Sequence, residues 1–424
     1  MQWKNWSGSV SATPQQIARP ETETELAGLV AQARKVRVVG AGHSFMPLCE
    51  TDGTLLALDQ LEGGLSFNAD KSRVWAPAGW SLAKLTDALW EEGVSLINQG
   101  DVNPQALAGA IGTGTHGTGA ELGSLSTAAR GFRLMMPDGS IVTCSENEKT
   151  DLYQAARLSL GLVGVATQIE IDVLPAYHLE EKVETYPLED VEARWEDLAA
   201  ANRHVEFFVF PYGKYVVLKT LNPAPAEGPL KQMNDIDDRA FRIVCDICSA
   251  APWLTRRLQP LIVGAGVRQR RVGPAYQIFP SDRTVRFEEM EYELPRAHGW
   301  PALKEAIAWI RKRKLPVTFP FEFRLAAADD IWLSPFNATP GASISVHQYS
   351  KMPWREFFAQ SEPIFRGHGG RPHWAKRHTL AARDVDALYP DAGKFKAVRD
   401  QVDPGAKFAN AHLMDVFAIE EKPA

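Results

Sequence analysis

Five stretches of the sequence carry side chains whose types and spacing could do chemistry. In the first, VRVVGAGHSFMP from Val36 to Pro47, β-branched Val36, Val38 and Val39 suggest a strand. Gly40-Ala41-Gly42 then lets the backbone turn or approach a ligand closely, and His43-Ser44 offers a nucleophilic and hydrogen-bonding tip. Alone, this stretch reads more readily as an ordinary loop with a surface histidine. The second, NQGDVNPQALAGAIGTGTHGTGAELG from Asn98 to Gly123, is too poor in bulky side chains to build a core. Its use is close backbone approach, because exposed N–H groups and threonine hydroxyls form anion-binding concavities for a pyrophosphate or a flat ring. A flexible linker is the alternative, but an apolar segment, Phe132 to Met136, follows too closely for one.

The other three stretches lie late in the chain. Phe321-Glu322-Phe323-Arg324 alternates strictly, so on a strand Glu322 and Arg324 share a face. SISVHQYS places Ser343, Ser345, His347 and Tyr349 on one face by the same rule. Apolar Phe321, Phe323, Ile344 and Val346 make the opposite faces those of half-buried strands, although surface strands remain open as a reading. The fifth, Arg371-Pro-His373-Trp374-Ala-Lys376-Arg-His378, is dense in titratable groups. A carboxylate, an arginine, a lysine and histidines suit a polyhydroxylated substrate, each of whose hydroxyls demands a partner once desolvated.

The elements that must position these groups are short and mixed, which indicates an α+β fold. TETELAGLVAQARK reads as a helix, with Thr22 and Glu25 at capping-box spacing and Leu26, Leu29, Val30 and Ala33 on one face. SLAKLTDALWEEG is another, opened by Ser81 and closed by Gly93. GFRLMMPDGSIVTC predicts a hairpin turning at Pro137-Asp138-Gly139. DLYQAARLSLG reads as helical, and the segment through Ile169 and Ile171 as a strand ending a compact unit near Ala176. From Tyr177 onward aromatic, proline-rich strands such as VEFFVFPYGKYVVLK and PSDRTVRFEEMEYELP suggest a second sheet. The glycine turn at Gly40 lacks the Gly-x-Gly-x-x-Gly spacing of a doubly wound dinucleotide fold.

Length and charge narrow the function. At 424 residues, two domains are the natural expectation, and a net charge of −6 gives no overall attraction for nucleic acid or an anionic membrane. The basic runs Arg268–Arg271 and Arg311–Lys314 lack interleaved aromatics and read as solvated faces. No apolar run approaches the ~20 residues of a membrane span, so a cytoplasmic protein acting on small polar molecules is expected. Cys49, Cys144, Cys245 and Cys248 are too few for a disulfide framework. Cys245 and Cys248 have half-site spacing, but helical spacing explains it and no metal site is expected.

Together VVGAGHSF, GTGTHGTG, GLVGVAT, EFR followed by DDIWLSP, SISVHQY, RPHWAKRH and DPGAKFAN resemble the aldonolactone oxidoreductases (gulonolactone and arabinonolactone oxidases) and their alditol oxidase relatives. These belong to the flavoprotein family of vanillyl-alcohol-oxidase fold, and the similarity runs nearly end to end. It implies an FAD-binding domain over residues 1–176, an antiparallel-sheet substrate cap over 177–374, and a segment, 375–424, returning to the FAD domain. It makes His43 the candidate covalent attachment point to the flavin 8α-methyl group. Gly40, Ala41, Gly42 and Ser44 would lie along the pyrophosphate, with Gly109, Gly112, Thr113, Thr115, His116, Gly117 and Thr118 cradling flavin and phosphates and Gly164 and Ile169 near the adenine end. Glu322, Arg324, His347 and Lys376 match catalytic and substrate positions, and Tyr349 joins the substrate face. The implied reaction oxidises a carbinol of an aldono-1,4-lactone, with Lys376 or His347 as base and dioxygen or another acceptor taking the electrons. Oxidation of an alditol at its terminal carbinol and flavin or sugar binding without catalysis are the alternatives. Ala106, where alditol oxidases have serine, and VHQY lean toward a lactone. Ala375 replaces the glycine some relatives place before the lysine.

Overall fold

The computed structural model describes residues 2–231, 238–281 and 284–420. Its first part holds two small sheets. Val36–Val39 and Gln16–Ala18 flank Thr54–Ala57 in parallel, with the helix Glu23–Gln32 as the crossover between the outer two. That helix starts where its sequence indicated, since the Thr22 hydroxyl accepts from the Glu25 amide and Leu26 and Val30 are buried. The capping differs in one detail: the Glu25 carboxylate reaches back to the amide of Glu21, one residue beyond the reciprocal box.

An antiparallel sheet follows, in the order Ile141–Ser145, Ala129–Met135, Val165–Pro175, Arg73–Pro77, Ser66–Phe67. The hairpin forms with Ile141 opposite Met135. The helix Leu82–Glu91 is capped by the Ser81 hydroxyl on the Lys84 amide and is followed by Gly93 at φ +79°, a conformation that favours glycine. Leu82, Leu85 and Leu89 of this helix share one core with Phe132, Leu134 and Ile169. Trp374, Tyr389, Phe395 and Phe417 from the end of the chain join the same core, each such side chain contributing about 1.5–3 kcal/mol of burial. Buried Arg37 ties the returning segment in: its guanidinium donates to the carbonyls of Leu48 and Leu160, both at 2.7 Å, and of Phe408.

The strands from His178 to Pro372 form one eight-stranded antiparallel sheet. Its order is Arg268–Pro274, His178–Pro187, Tyr215–Ala224, His204–Val209, Phe321–Ala326, Gly341–Tyr349, Phe287–Pro295, Arg371–Pro372. The period of two decides what each face carries. Met290, Tyr292, Leu294, Phe321, Phe323, Ile344 and Val346 turn toward the helices Gly299–Arg313 and Trp354–Gly367 and make a second core. The alternate residues Glu289, Glu291, Glu293, Glu322, Arg324, Ser343, Ser345 and His347 are buried as well, and the ladder sets Glu289 opposite His347 and Glu322 opposite Ser345.

Cys245 and Cys248 are buried on the helix Asp238–Ala250. Burial pushes the Cys245 thiol up to about 12, which leaves it protonated and inert. Arg268, Arg270 and Arg271 pair with Glu184, Glu180, Glu227 and Glu181. Among the described residues no helix is long and apolar enough to cross a membrane.

Candidate active site

A cavity of about 690 Å³ lies between the first part of the chain and the polar face of the eight-stranded sheet, well within the size of small-molecule clefts. Gly40, Ala41, Gly42, His43, Ser44, Gly109, Gly112, Thr113, Thr115, Gly164 and Ile169 line it from one side, and Glu322, Arg324, His347 and Lys376 from the other. His116 lines it too and joins the two sides. Three of the cofactor and substrate candidates implied by the resemblance do not line it. A Cβ on Gly117 would stand 2.3 Å from the Gln99 carbonyl, so this glycine serves chain packing. The Thr118 hydroxyl donates to the Val205 carbonyl at 2.5 Å, because the loop has by then turned into the sheet. Tyr349 shares the face of His347 but sits at the strand's end, where its hydroxyl donates to Asp246 at 2.8 Å.

The glycines of the cavity wall are required for different reasons. A Cβ at Gly40 would meet that of Ala106 at 2.7 Å, and Gly42 holds φ +68°, so neither accepts a side chain easily. At Gly109 an added Cβ meets nothing within 4 Å, so the helix Leu107–Gly112 shows bare backbone there. His43 stacks on Trp6 with ring centroids 5.2 Å apart. Burial first, then the charge of Lys376, lowers its pKa to about 4. The imidazole is therefore neutral near pH 7, with a nitrogen lone pair available.

On the opposite wall every charge is answered. Lys376 Nζ donates to Glu289 Oε2 at 2.5 Å, while Glu289 Oε1 lies 3.4 Å from His347 Nε2. Arg324 donates to Glu291 and stands 3.5 Å from Glu322, and Ser343 Oγ donates to Glu291 at 2.7 Å. Burial opposes ionisation of Glu291, but Arg324 beside it prevails and holds the carboxyl well below the usual range. Glu289 is lowered likewise, burial being outweighed by Lys376 and then His347. Arg324 Nε and Glu322 Oε1, the two atoms of that 3.5 Å ion pair, are buried and make no hydrogen bond, so a donor and an acceptor at the cavity wall are left for a ligand's hydroxyl.

His116 links the two walls. Nδ1 faces the Gly117 carbonyl at 2.8 Å, and Nε2 stands 3.2 Å from both Glu291 and Glu293. Both nitrogens face acceptors, so both carry protons, and the ring is an imidazolium. Burial disfavours that charge, yet Glu293, followed by the hydrogen bond to Glu291, raises its pKa to about 9. Neighbouring His373 is pushed down to about 3 by burial and is neutral.

Glu289, Glu291 and Glu293 were not singled out from the sequence, although Phe287-Glu-Glu-Met-Glu-Tyr-Glu-Leu carries the alternation that was used for Glu322 and Arg324. Asp101 also lines the cavity. Among the described residues two groups have metal-ligand types, His116 with Glu291 and His373, and Asp101 with Glu206 and Glu322. In each, a cation of the chain already stands among the carboxylates: Arg324 in the first and Lys219, 3.1 Å from Glu206, in the second.

Comparison with known proteins agrees with this geometry. Residues 14–145 match the FAD binding domain family. A cholesterol oxidase from Brevibacterium sterolicum superposes with a TM-score of 0.82 at 16% identity, over 98% of this chain and 96% of the other, a likeness of fold alone. Fold and cavity together define an FAD-dependent oxidoreductase of the vanillyl-alcohol-oxidase type. Residues 169–416 match the D-arabinono-1,4-lactone oxidase family, and the chain belongs to it. It is 36% identical to an L-gulono-1,4-lactone dehydrogenase of Mycobacterium tuberculosis, over 98% of this chain and 99% of that one. It is 28% identical to the mouse L-gulonolactone oxidase over 98% of both chains, and 29% identical to a Streptomyces alditol oxidase over 97% of this chain and 98% of the other.

Proposed function

We propose that this enzyme oxidises a carbinol of a sugar-derived aldono-1,4-lactone, at C2, to an ascorbate-type product. The observation that carries the reading is the shared cavity, in which the glycine-walled cradle faces Glu322, Arg324, His347 and Lys376. The lactone family match and the mycobacterial relative support that substrate class. Bound FAD would supply the two-electron acceptor for the carbinol hydride.

The side chains of the wall do the rest. Arg324, fixed between Glu291 and Glu322, is charged and aimed to polarise the lactone oxygens. Glu322 Oε1 and Arg324 Nε, a loose ion pair 3.5 Å apart in which neither atom makes a hydrogen bond, would receive a substrate hydroxyl. The carbinol proton passes to the unit His347–Glu289–Lys376, whose carboxylate touches both candidate bases. His43, neutral and beside Trp6, is the residue suited to tether the flavin through its 8α-methyl carbon. Gly40, Ala41, Gly42, Ser44, Gly109, Gly112, Thr113 and Thr115 would hold the cofactor, with Gly164 and Ile169 toward its adenine end. Residues 1–176 with 375–424 would be its domain, and 177–374 the substrate cap. Four free cysteines fit work in a reducing cytoplasm.

Alditol oxidation is the second reading, favoured by the Streptomyces relative. Against it stands Ala106, which lines the cavity with a methyl group that offers no hydrogen bond. Steady-state turnover of gulono-, galactono- and arabinono-1,4-lactone beside xylitol and sorbitol separates the two, and good polyol turnover with none on any lactone overturns the first. Acid-precipitated protein is expected to keep flavin fluorescence, and His43→Ala to release it. Reoxidation of the reduced enzyme by air, compared with an artificial dye, tells oxidase from dehydrogenase.

A further inference from the structure

Two tryptophans near the start of the chain, Trp3 and Trp6, line the cavity beside His43, and neither belongs to the glycine cradle or to the polar wall. They sit at the base of a small hairpin in which Trp3–Lys4 pairs antiparallel with Ser11–Ala12. That hairpin grips the chain on both sides of His43. The Trp6 amide donates to the Gly42 carbonyl at 2.8 Å. The side chain of buried Asn5 donates to the Ser44 carbonyl at 3.0 Å while accepting from the Val10 amide. Gly42 permits the approach, since a Cβ there would stand 3.2 Å from the Trp3 ring.

A ring, and not a hydrogen bond, sets the plane of the imidazole. Among the described residues neither nitrogen of His43 makes a hydrogen bond. Its ring lies within 21° of parallel to that of Trp6, with centroids 5.2 Å apart. Trp6 is held in turn, its indole meeting Phe287 at 5.3 Å and Phe45 at 6.3 Å, both edge-on. A histidine without such a neighbour takes several rotamers about its two side-chain bonds, and most of them turn the lone pair away from a reaction partner. A flat face on one side removes much of that freedom and leaves both nitrogens uncommitted. The hairpin itself is pinned, because Ser9 Oγ accepts from Arg377 at 2.6 Å and Arg377 pairs with Glu288 at 2.8 Å. The stack is thereby fixed to Phe287–Pro295, the strand that carries Glu289.

We propose that Trp6 is a positioning residue for flavin attachment: stacked on His43, it holds the imidazole in the orientation from which a nitrogen attacks the 8α-methyl carbon of bound FAD. This role rests on the covalent tether proposed above. In the coupling a bond forms between the imidazole nitrogen and the 8α carbon, while one methyl C–H and the imidazole N–H break. Both hydrogens leave as protons, and the electron pair of the C–H bond stays on the flavin until dioxygen or a dye takes it. The tryptophan exchanges neither protons nor electrons. Its contribution is orientation, which sets how fast the bond forms and not whether FAD binds.

The full chain, produced under riboflavin limitation, is mixed with FAD in air, and the covalent fraction is followed by the fluorescence of acid-precipitated protein. Total bound flavin is measured alongside, after unbound FAD is removed. Trp6→Leu keeps an apolar side chain against Phe45 and Phe287 but offers no flat face, whereas Trp6→Phe keeps one. Trp6→Leu is expected to bind FAD and to couple it about tenfold or more slowly than the parent, and Trp6→Phe to recover most of the rate. Coupling by Trp6→Leu at the parent rate, or equally slow coupling by Trp6→Leu and Trp6→Phe, overturns the role of the stack. So does a loss of total flavin in Trp6→Leu that matches the loss of covalent flavin, since Trp6 would then serve binding. A parent protein that binds FAD and releases all of it in acid overturns the tether and this role with it, an outcome that shows without any substitution.

Discussion

Glu289 stands where the chemistry of the site converges, one carboxylate oxygen toward Lys376 at 2.5 Å and the other toward His347 at 3.4 Å. Replacing it by glutamine keeps the volume but removes the charge that the two bases share. Turnover of Glu289→Gln is expected to fall about 10²-fold, the usual range for loss of general acid–base assistance. Flavin content should be unchanged, because Glu289 lies on the sheet wall and not on the glycine cradle. Glu289→Asp should restore part of the rate, and a Gln variant turning over at the parent rate would remove Glu289 from the proton path. This glutamate was readable in the sequence by alternation, but four glutamates in seven residues argue for an exposed strand, since unpaired acids are almost never fully buried. Only with His116, Arg324 and Lys376 brought in from three distant segments does a buried face become tenable. Sequence spacing does not show that assembly. For Tyr349 alternation named the right face and could not show that the strand outruns the cavity.

At the scale of elements, local sequence was more informative. The capping of Glu23–Gln32 by Thr22 and of Leu82–Glu91 by Ser81, and the hairpin at Pro137–Gly139, follow from residue types acting within a few positions. Ser81→Ala is expected to cost about 1 kcal/mol in urea unfolding, the value of one lost cap, and Lys84, which lines the cavity, would loosen with its helix. The glycine-rich stretch was harder to read, because its composition is uniform while its roles are not. Gly109 faces open space, whereas Gly117 packs against the Gln99 carbonyl at 2.3 Å from where a Cβ would sit. Alanine at the two positions should therefore differ. Gly117→Ala overpacks a backbone contact and should lose about 1–3 kcal/mol of stability. Gly109→Ala should leave folding nearly intact and lower flavin content. Equal destabilisation by both would contradict the division of the stretch into a cradle and a packing turn.

For the molecule as a whole, the buried histidines set how stability responds to pH. His43, as the proposed flavin tether, stays out of the balance; His204, His373 and His378 are pushed by burial to about 3, and His412 to about 4. Their unfolded pKa is 6.5, so below that pH the unfolded chain binds protons that the native state refuses. The stability they contribute is present above pH 6.5 and is lost as pH falls toward 4. Three carboxyls oppose this: burial raises Glu206 to about 7, Asp329 to about 6, and Glu293 upward, and groups of that kind stabilise on the acid side. Four histidines against three carboxyls leave a net of one proton, hence a fall of about 1.4 kcal/mol per pH unit on acidification below 6.5. His116 acts in the other direction. Raised from 6.5 to about 9, it contributes fully below pH 6.5, and the contribution, at most about 3 kcal/mol, is lost as pH rises through 9. Stability should accordingly peak near pH 6.5–7, with the urea midpoint of flavin-loaded enzyme lower at both pH 5 and pH 9. In His116→Gln the alkaline fall should disappear while most of the acid fall remains, because His204, His378 and His412 do not interact with this ring. A midpoint that keeps rising from pH 7 to pH 9 in the parent enzyme would show that the ring between Glu291 and Glu293 is not an imidazolium.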